Sequence, residues 1–87
     1  MNKIVVDIEL FTMQQRVYIY NKGECTSLII KNSIEDLKNT CYDLCKENNI
    51  HDLILCGPYF VTTKLKQELK ETTKYNNFEL NIDTIKK

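Results

Sequence analysis

Four residues in the middle of the chain are of the types that can bind zinc or act in thiol catalysis: Cys41, Cys45, His51 and Cys56. Their spacing favours neither use. Cys41 and Cys45 belong to a helical row of apolar residues, and a strand would hold His51 and Cys56 about 16 Å apart on opposite faces. Together with Cys25, and with no CxxC spacing, the cysteines are predicted to be reduced, buried thiols. No metal or other cofactor is predicted from them.

A row of lysines could contact phosphates or an acidic partner. Lys66, Lys70 and Lys74 recur every four residues, which places them on one face of a predicted helix. However, Glu68 and Glu71 lie between them, and a charge row on an exposed helix is usually a solvated face. The chain has twelve basic and twelve acidic residues, so its formal net charge is zero. Nucleic-acid binding through these lysines is therefore an alternative that composition does not favour.

The composition is that of one small folded domain, residues 1–87, with 43% apolar and 28% charged residues. Apolar runs are too short for a membrane span, and Asp7 comes too early for a signal peptide. We therefore expect no membrane partner and a cytoplasmic location. Richness in Asn, Lys and Ile is typical of AT-rich genomes and suggests the cytoplasm of a bacterium or of a phage-infected cell. A Gly-rich phosphate loop, a Ser-His-Asp set and a nucleotide fingerprint are all missing, which excludes the common enzyme classes.

The first third of the chain is predicted to be an antiparallel meander. A strand from Lys3 to Leu10 contains three adjacent β-branched residues, a pattern typical of a strand covered on both faces. Residues 16–20 alternate as a second strand and residues 25–31 form a third. Between them, Asn21-Lys22-Gly23 supplies residues that tolerate positive φ in a tight hairpin.

Two helices and two strands are predicted to follow. Ser33 and Asp36 have the spacing of a capping box for a first helix, which ends near Asn49. Residues 50–56 are then a strand parallel to the first one. A second helix, capped by Thr62 or Thr63, is predicted to reach residue 73, and a strand at residues 78–83 precedes a frayed tail at residues 84–87. The predicted anchors of the second helix are Phe60, Val61, Leu65 and Leu69.

This element order resembles the ribonuclease H-like superfamily. The resemblance implies a small α/β domain with the order β1-β2-β3-α1-β4-α2-β5. It also implies a mixed five-stranded sheet in the order 3-2-1-4-5, in two or three layers. Asp7 lies on the first strand, where nucleases of this superfamily carry their first metal-binding acid. The segment from Leu53 to Phe60, with Gly57-Pro58, is similar to one in the middle domain of Pelota and related release factors.

The resemblance implies an alternative function, a minimal nuclease that uses Mg²⁺. Such chemistry needs several carboxylates around two cations. The candidate acids are Asp7, Glu9, and Glu35 or Asp36. At the end of the fourth strand, where the family pattern expects an acid, this sequence has Cys56-Gly57-Pro58. We therefore assign no catalytic residue unless the chain is a nuclease of this kind.

A ligand crevice is predicted beyond the carboxyl ends of the parallel strands, because open α/β sheets bind ligands there. Its residues would be Asp7, Glu9, Gly57, Pro58 and Tyr59.

The leading functional prediction is a non-enzymatic protein-interaction module that docks on a larger protein assembly, as a phage or bacterial accessory protein. Aromatic residues such as Tyr18, Tyr20, Tyr59 and Phe60 favour protein interfaces. The docking surface would be an edge strand or the second helix, and an edge strand could also form a homodimer.

Overall fold

β1 is the central strand of a mixed sheet, with β2 on one side and β4 on the other. The computed structural model describes residues 1–31 and 33–87, with residues 34 and 35 described by their backbone alone. Within these residues the strand order is β3-β2-β1-β4-β5, so the predicted element order and sheet order are confirmed. The elements are β1 (Lys3–Asp7), β2 (Gln14–Asn21), β3 (Glu24–Lys31), α1 (Ile34–Asn48), β4 (Asp52–Gly57), α2 (Tyr59–Asn76) and β5 (Asn81–Lys86).

The register of the sheet aligns the apolar positions of neighbouring strands. Val6 lies opposite Val17 of antiparallel β2 and opposite Leu55 of parallel β4. The hairpin between β2 and β3 closes through Lys22 and Gly23, which have φ values of 52° and 82°. Positive φ at both positions matches the right-handed twist of the paired strands, and this fixes the register of the hairpin.

Both helices pack on the same face of the sheet. The connections from β1 to β4 and from β4 to β5 step in the same direction across the sheet, and right-handed crossovers then place α1 and α2 together. The described domain therefore has two layers. Residues of both helices and alternate residues of the strands form one buried core, which includes Ile4, Val6, Leu37, Cys41, Cys45, Leu53, Leu55, Leu65 and Leu69.

The opposite face of the sheet, called the open face here, is covered by no helix of the described residues. Val5, Tyr18 and Ile54 lie on it in register and are only half-buried. The prediction that the first strand is covered on both faces is therefore wrong. β1 also ends at Asp7, earlier than the predicted Leu10.

The start of α2 differs from the prediction. Pro58 is the N-cap residue, and its carbonyl accepts hydrogen bonds from the N–H groups of Val61 and Thr62 at 3.1 and 3.0 Å. The helix thus begins at Tyr59, three residues before the first predicted cap. Val61, Leu65 and Leu69 are buried as predicted, whereas Phe60 is exposed and anchors nothing in the core.

The chain after α2 is held in place by strand pairing with the sheet. Asn77 ends the helix in the left-handed conformation, with φ 53°, and Phe78 stacks on His51 at a centroid distance of 4.5 Å. β5 then pairs with β4 as far as Lys86, and the Lys87 N–H donates to the Gly57 carbonyl at 3.1 Å. The predicted frayed tail is therefore wrong, because parallel pairing satisfies its backbone groups.

A buried amide holds the loop between β1 and β2. The Gln15 side chain is fully buried, and its Oε1 accepts a hydrogen bond from the Glu9 N–H at 2.7 Å. Its Nε2 donates to the Glu9 carbonyl at 3.4 Å. One side chain thus satisfies both backbone groups of a residue outside the strand ladder.

We expect Gln15→Leu to lower the free energy of unfolding by about 1–3 kcal/mol, because it leaves the Glu9 N–H and carbonyl without partners. Urea unfolding followed by circular dichroism measures the change. Gln14→Leu is the matched control, since Gln14 is exposed, and it should change stability by less than about 0.5 kcal/mol. Equal effects of the two substitutions would contradict the role given to the Gln15 amide.

Candidate functional site

Asp7 lies at the carboxyl end of β1 on the open face. Its neighbours in register are Arg16 on β2 and Cys56 on β4. The Asp7 carboxylate forms an ion pair with the Lys87 ammonium, although the two residues lie at opposite ends of the chain. The pairing of β5 with β4 brings Lys87 to this position.

The charges around Asp7 are balanced. Asp7, Glu9, Arg16 and Lys87 all line a depression of about 260 Å³, so two carboxylates face two cations. The pKa of Lys87 is raised above its usual value, mainly because its ammonium donates a hydrogen bond to Asp7. Burial and the Asp7 charge raise the pKa of the neighbouring Cys56 thiol, and the Lys87 charge lowers it. The site therefore holds its acid as an ion pair and its thiol in the protonated form.

The acids of the nuclease alternative are not gathered into a metal site. Among the residues the structure describes, no group of three His, Cys, Asp or Glu side chains could hold a metal ion. The Asp36 carboxylate accepts a hydrogen bond from the Ser33 hydroxyl at 3.0 Å as part of the cap of α1. The Glu9 carboxylate accepts one from the Phe11 N–H at 3.2 Å. The Glu35 side chain lies outside the described residues.

The predicted crevice divides into two places. Gly57 lies on the helix side of the sheet, where an added Cβ would be 3.0 Å from the Ile8 Cβ. A larger residue would therefore have to displace Ile8 by a few tenths of an ångström, so glycine favours the close packing of β4 against the end of β1. Pro58 caps α2, and Tyr59 begins that helix. These three residues do not line the depression that contains Asp7 and Glu9.

Three exposed aromatic side chains follow the carboxyl ends of β1 and β4. We call Phe11, Tyr59 and Phe60 the aromatic rim. Their relative exposures are 95%, 67% and 70%. Phe11 is in the loop after β1, and the other two are in the first turn of α2. The sequence predicted Phe60 as a core anchor, because it placed the start of α2 too late.

The lysine row of α2 does not form a basic surface. Lys66 is half-buried, and Lys70 and Lys74 are exposed. The latter two line a shallow depression together with Glu79. A carboxylate within this depression weakens the positive field that phosphate binding needs.

The cysteines have separate environments. Cys41 and Cys45 are buried on the core-facing side of α1, and burial raises the pKa of each thiol to about 12. Cys25 is exposed on β3, where it faces Tyr20, and Cys56 is half-buried, so the prediction that all the cysteines are buried is wrong for these two. A hydrogen bond with Cys25 raises the pKa of Tyr20.

No protein-family model matches the chain, and the curated proteins include no sequence with significant similarity to it. None of the helices that the structure describes is long and apolar enough to cross a membrane.

We expect the four thiols to react with Ellman's reagent at pH 8 in the order of their exposure. Cys25 should react first and Cys56 more slowly, whereas Cys41 and Cys45 should react only after unfolding. Asp7→Asn should accelerate Cys56, because it removes a negative charge that raises the pKa of the thiol. Lys87→Met should slow it, and a Cys25→Ser background isolates the Cys56 signal. Identical Cys56 rates in both variants would contradict the proposed electrostatics.

We expect millimolar Mg²⁺ or Mn²⁺ to produce no saturable amide NMR shifts near Asp7, because Lys87 neutralises the carboxylate and other acids are too few. The amide shifts of residues elsewhere on the surface serve as the internal control for non-specific cation binding. Saturable shifts confined to Asp7, Glu9, Glu35, Asp36 and Cys56 would instead support the nuclease alternative, and cleavage assays would follow.

Proposed function

We propose that this chain is a non-enzymatic protein-interaction module that docks on a partner through the aromatic rim. The observation that carries the proposal is the exposure of Phe11, Tyr59 and Phe60 at one edge of the sheet. The core is complete without them, since α2 is anchored by Val61, Leu65 and Leu69 instead.

Exposed aromatic side chains support this function on physical grounds. Each aromatic ring buries a large area on binding and loses little conformational entropy, so such residues often dominate the energy of an interface. The three side chains come from two elements, the β1–β2 loop and the start of α2. The Gln15 amide holds the loop, and the Pro58 carbonyl begins the helix. Hydrogen bonds thus hold both the loop and the helix start that carry the aromatic rim. The rim therefore suits a preformed protein surface with apolar pockets.

The chemistry at Asp7 also supports a binding role in preference to an enzymatic one. The carboxylate of Asp7 is paired with Lys87, and the nearest thiol, Cys56, has a raised pKa. A nucleophile or a general base requires a group that gives up or takes a proton near neutral pH. The ion pair of Asp7 and the raised pKa of Cys56 make both groups poorly suited to that use.

The setting of this function rests on the sequence. The element order supports a ribonuclease H-like scaffold, and the composition suits an accessory protein in the cytoplasm of a bacterium or a phage-infected cell. On this scaffold the partner would be a component of a larger protein assembly.

Site-specific crosslinking tests the proposal. A photoreactive phenylalanine analogue in place of Phe60 should crosslink one protein in the native host, and the same analogue at Tyr75 should not. Tyr75 is the matched control, because it is an 86% exposed aromatic residue at the other end of α2.

The captured protein must then bind the purified domain directly. We expect Phe60→Ala to weaken that affinity at least tenfold, which is about 1.4 kcal/mol, and Tyr75→Ala to change it less than twofold. Capture at both positions, or equal affinities of the two alanine variants, would refute docking through the rim.

A further inference from the structure

β3 presents an unprotected edge of the sheet. Among the described residues it pairs with β2 alone, and all eight of its residues are in that ladder. The six residues from Cys25 to Ile30 carry no charge, and the strand has no proline. Natural edge strands are commonly blunted by charges, proline or bulges. The opposite edge, β5, is shorter and contains Asp83 and Lys86, so β3 is the edge suited to pairing.

The backbone groups that point outward from β3 follow from the hairpin. A two-residue turn makes Asn21 and Glu24 a hydrogen-bonded pair, and the pairs then alternate along the ladder. The outward N–H and C=O groups therefore belong to Cys25, Ser27, Ile29 and Lys31. These side chains lie on the open face, because their β2 partners include Tyr18 and Arg16.

We propose that β3 pairs with β3 of a second copy of this chain, antiparallel and centred on Leu28. A twofold axis normal to the sheet keeps the open faces of the two copies on one side. It therefore permits only registers in which residues of the same face lie opposite each other. Centring on Leu28 uses the outward groups of all four residues, whereas centring on Ser27 or Ile29 leaves one of them outside the ladder.

The side chains on the open face are complementary in this register. Ile29 of each copy lies opposite Ser27 of the other, so a 53% exposed branched side chain meets a small one. Ser27, Tyr18 and Arg16, with Leu28 and Ile29 of the same copy, line a depression of about 330 Å³ beside that position. Each Ile29 thus packs at the margin of the other copy's depression, and the contact is reciprocal, as a twofold interface requires.

The charges at the ends of β3 select the antiparallel direction. The strand begins with Glu24 and ends with Lys31. Antiparallel pairing brings the acidic end of one copy to the basic end of the other, and parallel pairing would bring like charges together. Because one strand from each copy makes a small interface, we infer a dimer with a Kd of about 10–100 µM. The product is a continuous ten-stranded sheet, and the aromatic rim stays outside the interface.

Sedimentation equilibrium under reducing conditions tests the dimer. The wild-type mass should rise with concentration from 10.3 kDa towards twice that value. Ser27→Pro should raise the Kd at least tenfold, because it removes an outward N–H and keeps the β2 ladder. Ser27→Ala is the matched control, because it keeps the N–H and a small side chain, and it should still dimerise. Ile29→Lys, which replaces the exposed apolar side chain, should weaken the dimer without affecting folding.

A crosslink tests the register. Lys31→Cys should form a disulfide with the native Cys25 of the other copy in oxidised glutathione, since hydrogen-bonded pairs have Cα atoms about 5.5 Å apart. The same substitution in a Cys25→Ser background, and Lys86→Cys on β5, should form this covalent dimer at less than a tenth of the yield.

A chain that stays monomeric at about 500 µM would overturn the proposal. A dimer whose Kd is unchanged by Ser27→Pro and by Ile29→Lys would also overturn it. A monomer in which β3 pairs with an unrelated peptide would overturn it as well. None of these results bears on docking through Phe60, which the crosslinking at that residue tests separately.

Discussion

The handedness of two crossovers is the constraint on which the rest of this structure depends. β4 lies beside β1, and β5 lies beside β4, so both steps run in the same direction across the sheet. Since each connection is right-handed, both helices lie on one face. The buried core is therefore a single layer between the helices and alternate strand residues such as Val6 and Leu55. The same constraint leaves the open face and the edge of β3 for other contacts.

The close approach of β4 to the end of β1 determines the shape of the carboxyl edge. A Cβ at Gly57 would lie 3.0 Å from the Ile8 Cβ, so a side chain fits there only if Ile8 moves, and Pro58 caps α2 at the next residue. The helix therefore makes its first core contact at Val61, and the two aromatic residues before it are left in solvent. Exposure of Tyr59 and Phe60 is thus a consequence of how the strand and the helix are joined.

The ion pair between Asp7 and Lys87 joins the end of β1 to the end of the chain. The Lys87 ammonium lies against the Asp7 carboxylate and balances its charge. The folded-state pKa of Lys87 is raised, so the stabilisation from the pair is fully present below the usual lysine pKa of about 10.5. It is lost as the pH rises through the higher folded value. At neutral pH the pair is intact, and the site has no net charge to attract a metal ion.

The sequence by itself determined the order of elements, because local signals mark several of their ends. The cap formed by Ser33 and Asp36, the left-handed Asn49 and the Asn21-Lys22-Gly23 turn each depend on neighbouring residues. The end of β1 and the start of α2, which lack such signals, were placed incorrectly. The hairpin turn and the crossover rule indicated which strands are neighbours, and the full sheet order was implied by the resemblance to the ribonuclease H-like element order. Only the tertiary structure decided which face the helices cover, because the direction of a crossover depends on strands far apart in the chain. It also decided that Gln15 is buried and that Lys87 meets Asp7, since both contacts join residues whose proximity has no local signal.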